Sequence, residues 1–265
     1  MRPPVPSPFL ILEDNCPYFA DARPSRTAFV YPEHPLEPPE FEAAIQLGMR
    51  RSGRLLYRPL CPGCRKCQPY RVEIATFKMS DSQRRVWKRC EGKFEISIDR
   101  PAATEENLDL YRRYGEFQHG KGDSNPANYE EFLVDSIADT YELNWRRQGR
   151  LAAVSVIDVL PTGVSSVYSY WEPELKDWSI GTYTALVEID LCRRNELPYY
   201  YLGFLVPGAK TMNYKAKFGP GEVWDGEEWL NVPGRDPSDP AMREVLEKAE
   251  KSSQKADARH FQSGG

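Results

Sequence analysis

The chain has 265 residues, of which 40% are apolar and 28% charged, with a net charge of −4. That balance describes a globular protein with a sizeable core, and not a disordered or fibrous chain. No run of 18 apolar residues is present, so no transmembrane helix is expected, and the apolar stretch Phe9 to Leu12 is too short for a signal-peptide core.

A proline-rich arm opens the chain, followed by a Cys16-Pro-Tyr loop. Phe41, Ala44 and Ile45 predict a short helix after Pro39, ended by Gly48. Leu55 to Tyr57 and Tyr70 to Ile74 predict strands on either side of a cysteine loop. Ser80 or Asp81 caps a helix that carries Arg84, Arg85, Lys88 and Arg89. Phe94 to Ile98 alternates as a strand, and a domain boundary is placed near Arg100-Pro101. Thr104 then caps a helix with Leu108, Tyr111 and Tyr114 on one face. A glycine- and asparagine-rich loop, His119 to Asn128, leads into a helix around Tyr129 to Ser136. Tyr141 to Trp145, Leu151 to Leu160 and Val164 to Trp171 read as an antiparallel meander. A helix over Ser179 to Asn195 and a buried strand, Tyr199 to Leu202, complete a mixed sheet with a helix on it. The predicted class is α+β, with domains over 1–100 and 101–235 and a charged tail over 236–265. In that tail, 241–251 is expected to be helical and 252–265 disordered.

Charge is distributed unevenly. Between Gln46 and Cys90 there are twelve Lys and Arg residues against two acids, Glu73 and Asp81. A segment this cationic suits phosphate, because binding follows the local field; it also suits a merely solvated surface. Arg84, Arg85, Lys88 and Arg89 cover one broad helix face. With Arg50, Arg51, Arg54 and Arg58 they are expected to line a groove for an RNA stem, recognised by shape.

Cys61-Pro-Gly-Cys64-Arg-Lys-Cys67 places three thiols within seven residues, and Cys16 is the candidate fourth ligand. Four thiolates suit zinc or an iron–sulfur cluster. Arg58, Arg65, Lys66 and Arg71 are expected to lower the thiol pKa values. Reduced thiols without a metal, or a redox-sensing disulfide, are the alternatives. Cys90 and Cys192 read as buried small hydrophobes.

Nine pieces in order carry a resemblance. They are Cys16-Pro-Tyr; Gly48-Met-Arg-Arg-Ser-Gly53 with Tyr57-Arg-Pro59; Cys61 to Val72; Phe77-Lys-Met-Ser80 with Ser82-Gln-Arg-Arg85; Val156-Ile-Asp158; Ser165-Ser-Val-Tyr168 with Trp171-Glu-Pro173; Ser179-Ile-Gly-Thr-Tyr183; Tyr201-Leu-Gly203; and Met212-Asn-Tyr-Lys-Ala-Lys-Phe218. Over about residues 12 to 225 the chain resembles the arginyl-tRNA–protein transferase family, most closely its bacterial aspartate/glutamate leucyltransferase branch. Cys90 departs from that branch, which usually has asparagine there. The resemblance implies a second half like the GCN5-related acetyltransferases, with a helix N-terminus beside splayed strands holding the acyl donor. It implies transfer of leucine, or arginine, from charged tRNA to a protein beginning with Asp or Glu, which marks that protein for degradation in the cytoplasm. In eukaryotic relatives the N-terminal cysteines bind an iron–sulfur cluster.

An aminoacyl ester is already activated, so the transfer requires no cofactor, only positioning, a proton acceptor and oxyanion stabilisation. Asp158, on an otherwise apolar strand, is the candidate to hold the acceptor's ammonium group. Ser179 and Gly181 open a helix whose free N–H groups suit an oxyanion, and Ser179 is expected to cap it. Tyr168 and Tyr170 are candidates to flank the terminal adenosine. Tyr214, Lys215 and Lys217 are candidates to pair with the acceptor's acidic side chain or to contact the tRNA 3′ end. His119 is a possible general base. The competing readings are a non-catalytic tRNA-binding protein with a metal or redox cysteine site, and an acyl-coenzyme A transferase. The latter lacks its glycine-rich loop at Asp177 to Gly181.

Overall fold

The computed structural model describes residues 10–262 apart from Ser124, with side chains through Asp257. The proline-rich arm before residue 10 and the last three residues lie outside the described residues. Among the described residues, no helix is long and apolar enough to cross a membrane.

Two sheets carry the molecule. The smaller is antiparallel, in the order β1 (Leu10–Asn15), β2 (Pro24–Val30), β4 (Leu55–Pro59), β3 (Arg50–Ser52). Helix α1 (Pro38–Gln46) joins β2 to β3, with Pro38 in its first turn, where a missing N–H costs nothing. The larger sheet has eight strands. Its order is β12 (Trp229–Val232), β11 (Gly221–Trp224), β5 (Gln68–Glu73), β10 (Tyr199–Leu205), β9 (Gly163–Trp171), β8 (Arg150–Leu160), β7 (Thr140–Arg147), β6 (Glu95–Asp99). The predicted meander is β7 to β9, and α5 (Ile180–Arg194) is the crossover that returns the chain to lay β10 parallel to β9.

The α+β class is thus as expected, but the large sheet crosses the boundary placed near Arg100-Pro101. Strands β5 and β6 precede that boundary in sequence, yet they are rungs of the sheet built mainly by the second half. One apolar cluster (Phe41, Ile45, Met49, Leu56, Leu160, Tyr201) glues α1 and the small sheet to the large one.

The parallel pair is short. Tyr199, Tyr200 and Tyr201 face Gly163, Val164 and Ser165, and there the pairing stops. Just beyond, both strands bulge: Val167 is the extra residue of β9 against β8, and Leu202 that of β10 against β5. A bulge bends its strand locally, so two bulges at one level open β9 and β10 into a fork. This is the splayed pair that the resemblance implies.

The tail departs from expectation. Helix α6 (Pro240–Gln262) covers the stretch expected to be helical and continues to Gln262 through the part expected to be disordered, residues 263–265 lying outside the described residues. It is held because Met242, Leu246, Ala249 and Ala256 are buried, and because it lies against the cysteine loop. Gln68 Nε2 donates to the Leu246 carbonyl at 2.6 Å, Gln254 Nε2 to the Gly63 carbonyl at 3.2 Å, and Asp257 pairs with Arg65 at 2.5 Å and Arg58 at 3.3 Å.

Candidate active site

Both faces of the fork carry buried charge. On one face, strand β3 delivers Arg50 and Arg51, 8% and 5% exposed. Arg51 forms a bidentate pair with Asp158, Nε to Oδ2 and Nη2 to Oδ1, both at 2.9 Å, and Thr140 Oγ1 donates to Oδ1 at 2.6 Å. Asp158 is wholly buried. The sequence led us to expect it to hold an acceptor's ammonium group, but Arg51 already neutralises its charge. Likewise Arg50 and Arg51 do not line an open phosphate groove, since folding takes them inside.

Arg50 donates from Nη1 to Ser165 Oγ at 3.0 Å and from Nη2 to the Ser166 carbonyl oxygen. Beside it lies Lys215, carried by the 3-10 helix Asn213–Phe218 after β10 and only 7% exposed. The two cations meet over Gly203, whose φ is +86°. A Cβ there would stand 3.1 Å from Lys215 Nζ and 3.6 Å from Arg50 Nη2. Among the described residues, no carboxylate forms an ion pair with Lys215 or Arg50. Burial, then the charge of Arg50, pulls the Lys215 ammonium down to about 7. Burial lowers Arg50 as well.

On the other face, α5 presents Glu188, 1% exposed. Its carboxylate accepts hydroxyl hydrogens from Ser155, Tyr200 (2.6 Å) and Ser166. Burial nonetheless holds this carboxyl above the usual range. Such a group contributes stability below its unfolded pKa and loses it as pH rises through the folded value. Glu188→Gln is accordingly expected to raise the thermal unfolding midpoint relative to wild type, by a margin that widens from acid to neutral pH. Midpoints measured across that range check it, and an unchanged margin would refute it.

The open end of the fork is aromatic. Tyr168 packs against Tyr111, Tyr114 and Phe132, with its hydroxyl 3.4 Å from His119 Nε2 at the end of α3 (Glu105–His119). Tyr214, 41% exposed, faces this region. Lys217 is exposed. Tyr170 is fully buried with its hydroxyl 2.7 Å from that of Tyr129, so it is a core residue and cannot stack on a nucleoside.

Two expectations at the start of α5 also change. Ser179 takes a left-handed conformation (φ 57°, ψ 47°) and its side chain caps nothing. Gly181 does permit a close approach, but by Trp171: a Cβ would lie 3.0 Å from that indole ring.

The basic helix α2 (Asp81–Cys90) borders the fork. Ser80 caps it, with Gln83 completing a capping box. Gln83 Nε2 donates to the Lys217 carbonyl at 3.1 Å, and Arg89 donates to the Asp177 carbonyl two residues before Ser179. The helix is thereby tied to the segment bearing Lys215 and to the turn that starts α5. Arg84, Arg85, Lys88 and Arg89 are exposed, as is Arg54, which lies over the Tyr31 ring.

The cysteine loop behaves differently from expectation. Its cations are engaged elsewhere: Arg58 and Arg65 by Asp257, Lys66 by Glu250 at 3.8 Å, Arg71 by Glu222 at 2.6 Å. Burial and the charges of Cys61, Cys64 and Cys16 push the Cys67 thiol up to about 12, opposite to the expected lowering. Cys61 Sγ lies against the Arg26 backbone. Among the described residues, no three Cys, His, Asp or Glu side chains are gathered so as to hold a metal ion. The four thiols share one neighbourhood, Cys16, Cys61 and Cys64 all lying close enough to act on Cys67. Cys90 and Cys192 are buried, as expected.

Comparison with known proteins gives the family. Residues 14–85 match the family model "Arginine-tRNA-protein transferase, N terminus", and residues 106–225 match "Arginine-tRNA-protein transferase, C terminus". The chain is 36% identical over 221 residues to an aspartate/glutamate leucyltransferase of Pseudomonas putida (strain W619), covering 82% of this chain and 93% of that one.

The chain belongs to the arginine-tRNA-protein transferase family.

A second family relative, the aspartate/glutamate leucyltransferase of Nitrosococcus oceani, is 37% identical over 222 residues, covering 81% of this chain and 91% of that one. Likeness to solved structures is weaker. The PaiA N-acetyltransferase of Thermoplasma acidophilum is 13% identical with a TM-score of 0.31, covering 39% of this chain and 75% of that one. The family match ends at residue 225, just after β11, so α6 lies beyond it.

Proposed function

We propose that this chain is an aminoacyl-tRNA–protein transferase that moves leucine from charged tRNA to the α-amino group of proteins beginning with Asp or Glu, tagging them for degradation in the cytoplasm. The observation that carries this reading is the pair Arg50 and Lys215, buried together at the fork without a carboxylate partner among the described residues. Buried cations left unpaired are costly. A carboxylate arriving between them offsets that cost and restores the full charge on Lys215.

The chemistry is that of aminolysis. The acceptor's amine nitrogen attacks the ester carbonyl carbon, the bond to the ribose oxygen breaks, and a proton passes from the nitrogen to that oxygen. Substrate positioning supplies most of what this reaction needs, and no cofactor at the cysteine loop is required. Tyr168 and Tyr214 at the open end suit the esterified adenosine, and α2 with Arg54 suits the acceptor stem.

The decisive experiment incubates the protein with labelled Leu-tRNA or Arg-tRNA and peptides beginning with Asp, Glu, Asn, Gln or Ala. Label is expected on the Asp and Glu peptides from Leu-tRNA. Tight tRNA binding with label on no peptide would overturn the reading in favour of a non-catalytic RNA-binding protein.

Charge reversal on α2 tests the RNA face. Arg84→Glu with Arg85→Glu is expected to weaken tRNA binding and to lower the slope of log affinity against log salt by about 1 for each phosphate no longer neutralised. The acceptor KM should not move. Filter binding over a salt series gives the slope, and an unaltered slope would remove α2 from the interface.

A further inference from the structure

Ser166 touches both charges of the fork. Its carbonyl oxygen accepts from Arg50 on one face, and its hydroxyl donates to Glu188 on the other. Buried Arg50, with Lys215 beside it, and buried Glu188 thus both bond Ser166, one residue past the last parallel pair of β9 and β10. An N-terminal Asp or Glu carries the complementary pattern, an ammonium group and a carboxylate on one residue. An internal Asp, or one with a blocked amine, does not.

We propose that Glu188 receives the α-ammonium group of the acceptor protein at the apex of the fork, while Arg50 and Lys215 receive its side-chain carboxylate. The proposal rests on the transferase reading above and goes beyond it by naming the site for the reacting amine. Three observations support it. Glu188 sits where the fork opens, linked to β8, β9 and β10 through Ser155, Ser166 and Tyr200. All three partners are neutral hydroxyls, and among the described residues no cation pairs with Glu188. An isolated buried carboxylate is expensive, and an incoming ammonium supplies the missing charge and up to three donors. Asp158, the acid that sequence reasoning favoured, is already consumed by Arg51.

The same contact gives the amine a route to reactivity. The ammonium proton moves to the Glu188 carboxylate, and the freed lone pair attacks the ester carbonyl carbon. The carbon–ribose oxygen bond then breaks, the ribose oxygen takes up the second proton lost by the attacking nitrogen, and Glu188 afterwards releases the first to solvent. Burial of Glu188, which favours its protonated form, favours the first of these movements.

The test uses the full-length protein without tRNA and measures binding of a peptide beginning with Asp, in free and N-acetylated forms. Wild type is expected to prefer the free amine at least tenfold. Glu188→Gln should erase that preference while tRNA affinity stays within twofold of wild type, and Glu188→Asp should restore part of it. In the transfer assay, Glu188→Gln should raise the acceptor KM tenfold or more and lower kcat. A Glu188→Gln protein that keeps the preference for the free amine, or that loses tRNA binding in equal measure, overturns the proposal. Tyr200→Phe, which deletes one hydroxyl and no charge, should keep the free-amine preference; its loss there would make Glu188 a structural residue. Wild type that discriminates free from acetylated peptide yet transfers nothing would instead refute the transferase reading and leave the amine site standing.

Discussion

Asp158→Asn is expected to cost about 3–5 kcal/mol of folding stability, the range for removing one partner of a buried ion pair. The reason is geometric. Both Arg51 and Asp158 side chains are 1% exposed, and the carboxylate accepts two guanidinium N–H groups and the Thr140 hydroxyl. Asparagine retains one oxygen, turns an amide N–H toward a guanidinium, and leaves a full positive charge in the core. Urea unfolding should show a lowered midpoint. Transfer and tRNA binding should fall together, because Arg51 ties the small sheet to β8. Replacing both partners by apolar residues, as in Arg51→Met with Asp158→Leu, should recover part of the loss. The recovery is bounded because Arg51 Nη1 also serves the Gly53 and Asp135 carbonyls. Transfer lost alone, with stability and tRNA binding intact, would contradict this account and return Asp158 to the chemistry.

Lys215→Met is expected to lower kcat/KM on peptides beginning with Asp or Glu by about 30-fold to several thousandfold. That range corresponds to about 2–5 kcal/mol for truncating one partner of a buried charge pair. In the empty protein the sign reverses. Lys215 is held beside Arg50 with no carboxylate paired to either among the described residues, so methionine, similar in length and apolar, should leave the fold as stable or more so. Lost discrimination together with a maintained melting point separates a binding residue from a packing one. Peptides beginning with Asn should be affected little, since they bring no charge to the pair. An equal loss on Asn and Asp peptides would show that Lys215 does not read the acidic group.

Local patterns were legible in the sequence where one segment decides its own fate. The meander β7 to β9, the Ser80 and Thr104 caps and the amphipathic α5 follow from periodicity and capping chemistry. What escaped depends on partners far along the chain. Strands β11 and β12 have four residues each, and their context is set by β5, about 150 residues earlier. The cationic segment was visible, but not which arginines fold inward. Arg50 and Arg51 adjoin exposed Arg54, and only the placement of β3 against Asp158 and Ser165 separates them. Glu188 was passed over because an acid on a helix usually faces water; the signal missed was its place on the apolar face, in line with Ala185 and Cys192. Tail composition suggested disorder beyond residue 251, whereas α6 continues to Gln262 and buries Ala256 and Asp257.

Because β5 is wedged between β10 and β11, cutting the polypeptide near residue 100 would not yield two working pieces. The fragment bearing the fork would lack the strand that bridges its flanks, and the fragment bearing the basic helix would strand β5 without neighbours. Recombination between relatives should respect the same constraint, with crossovers tolerated in surface loops and penalised wherever they mix parents across this seam.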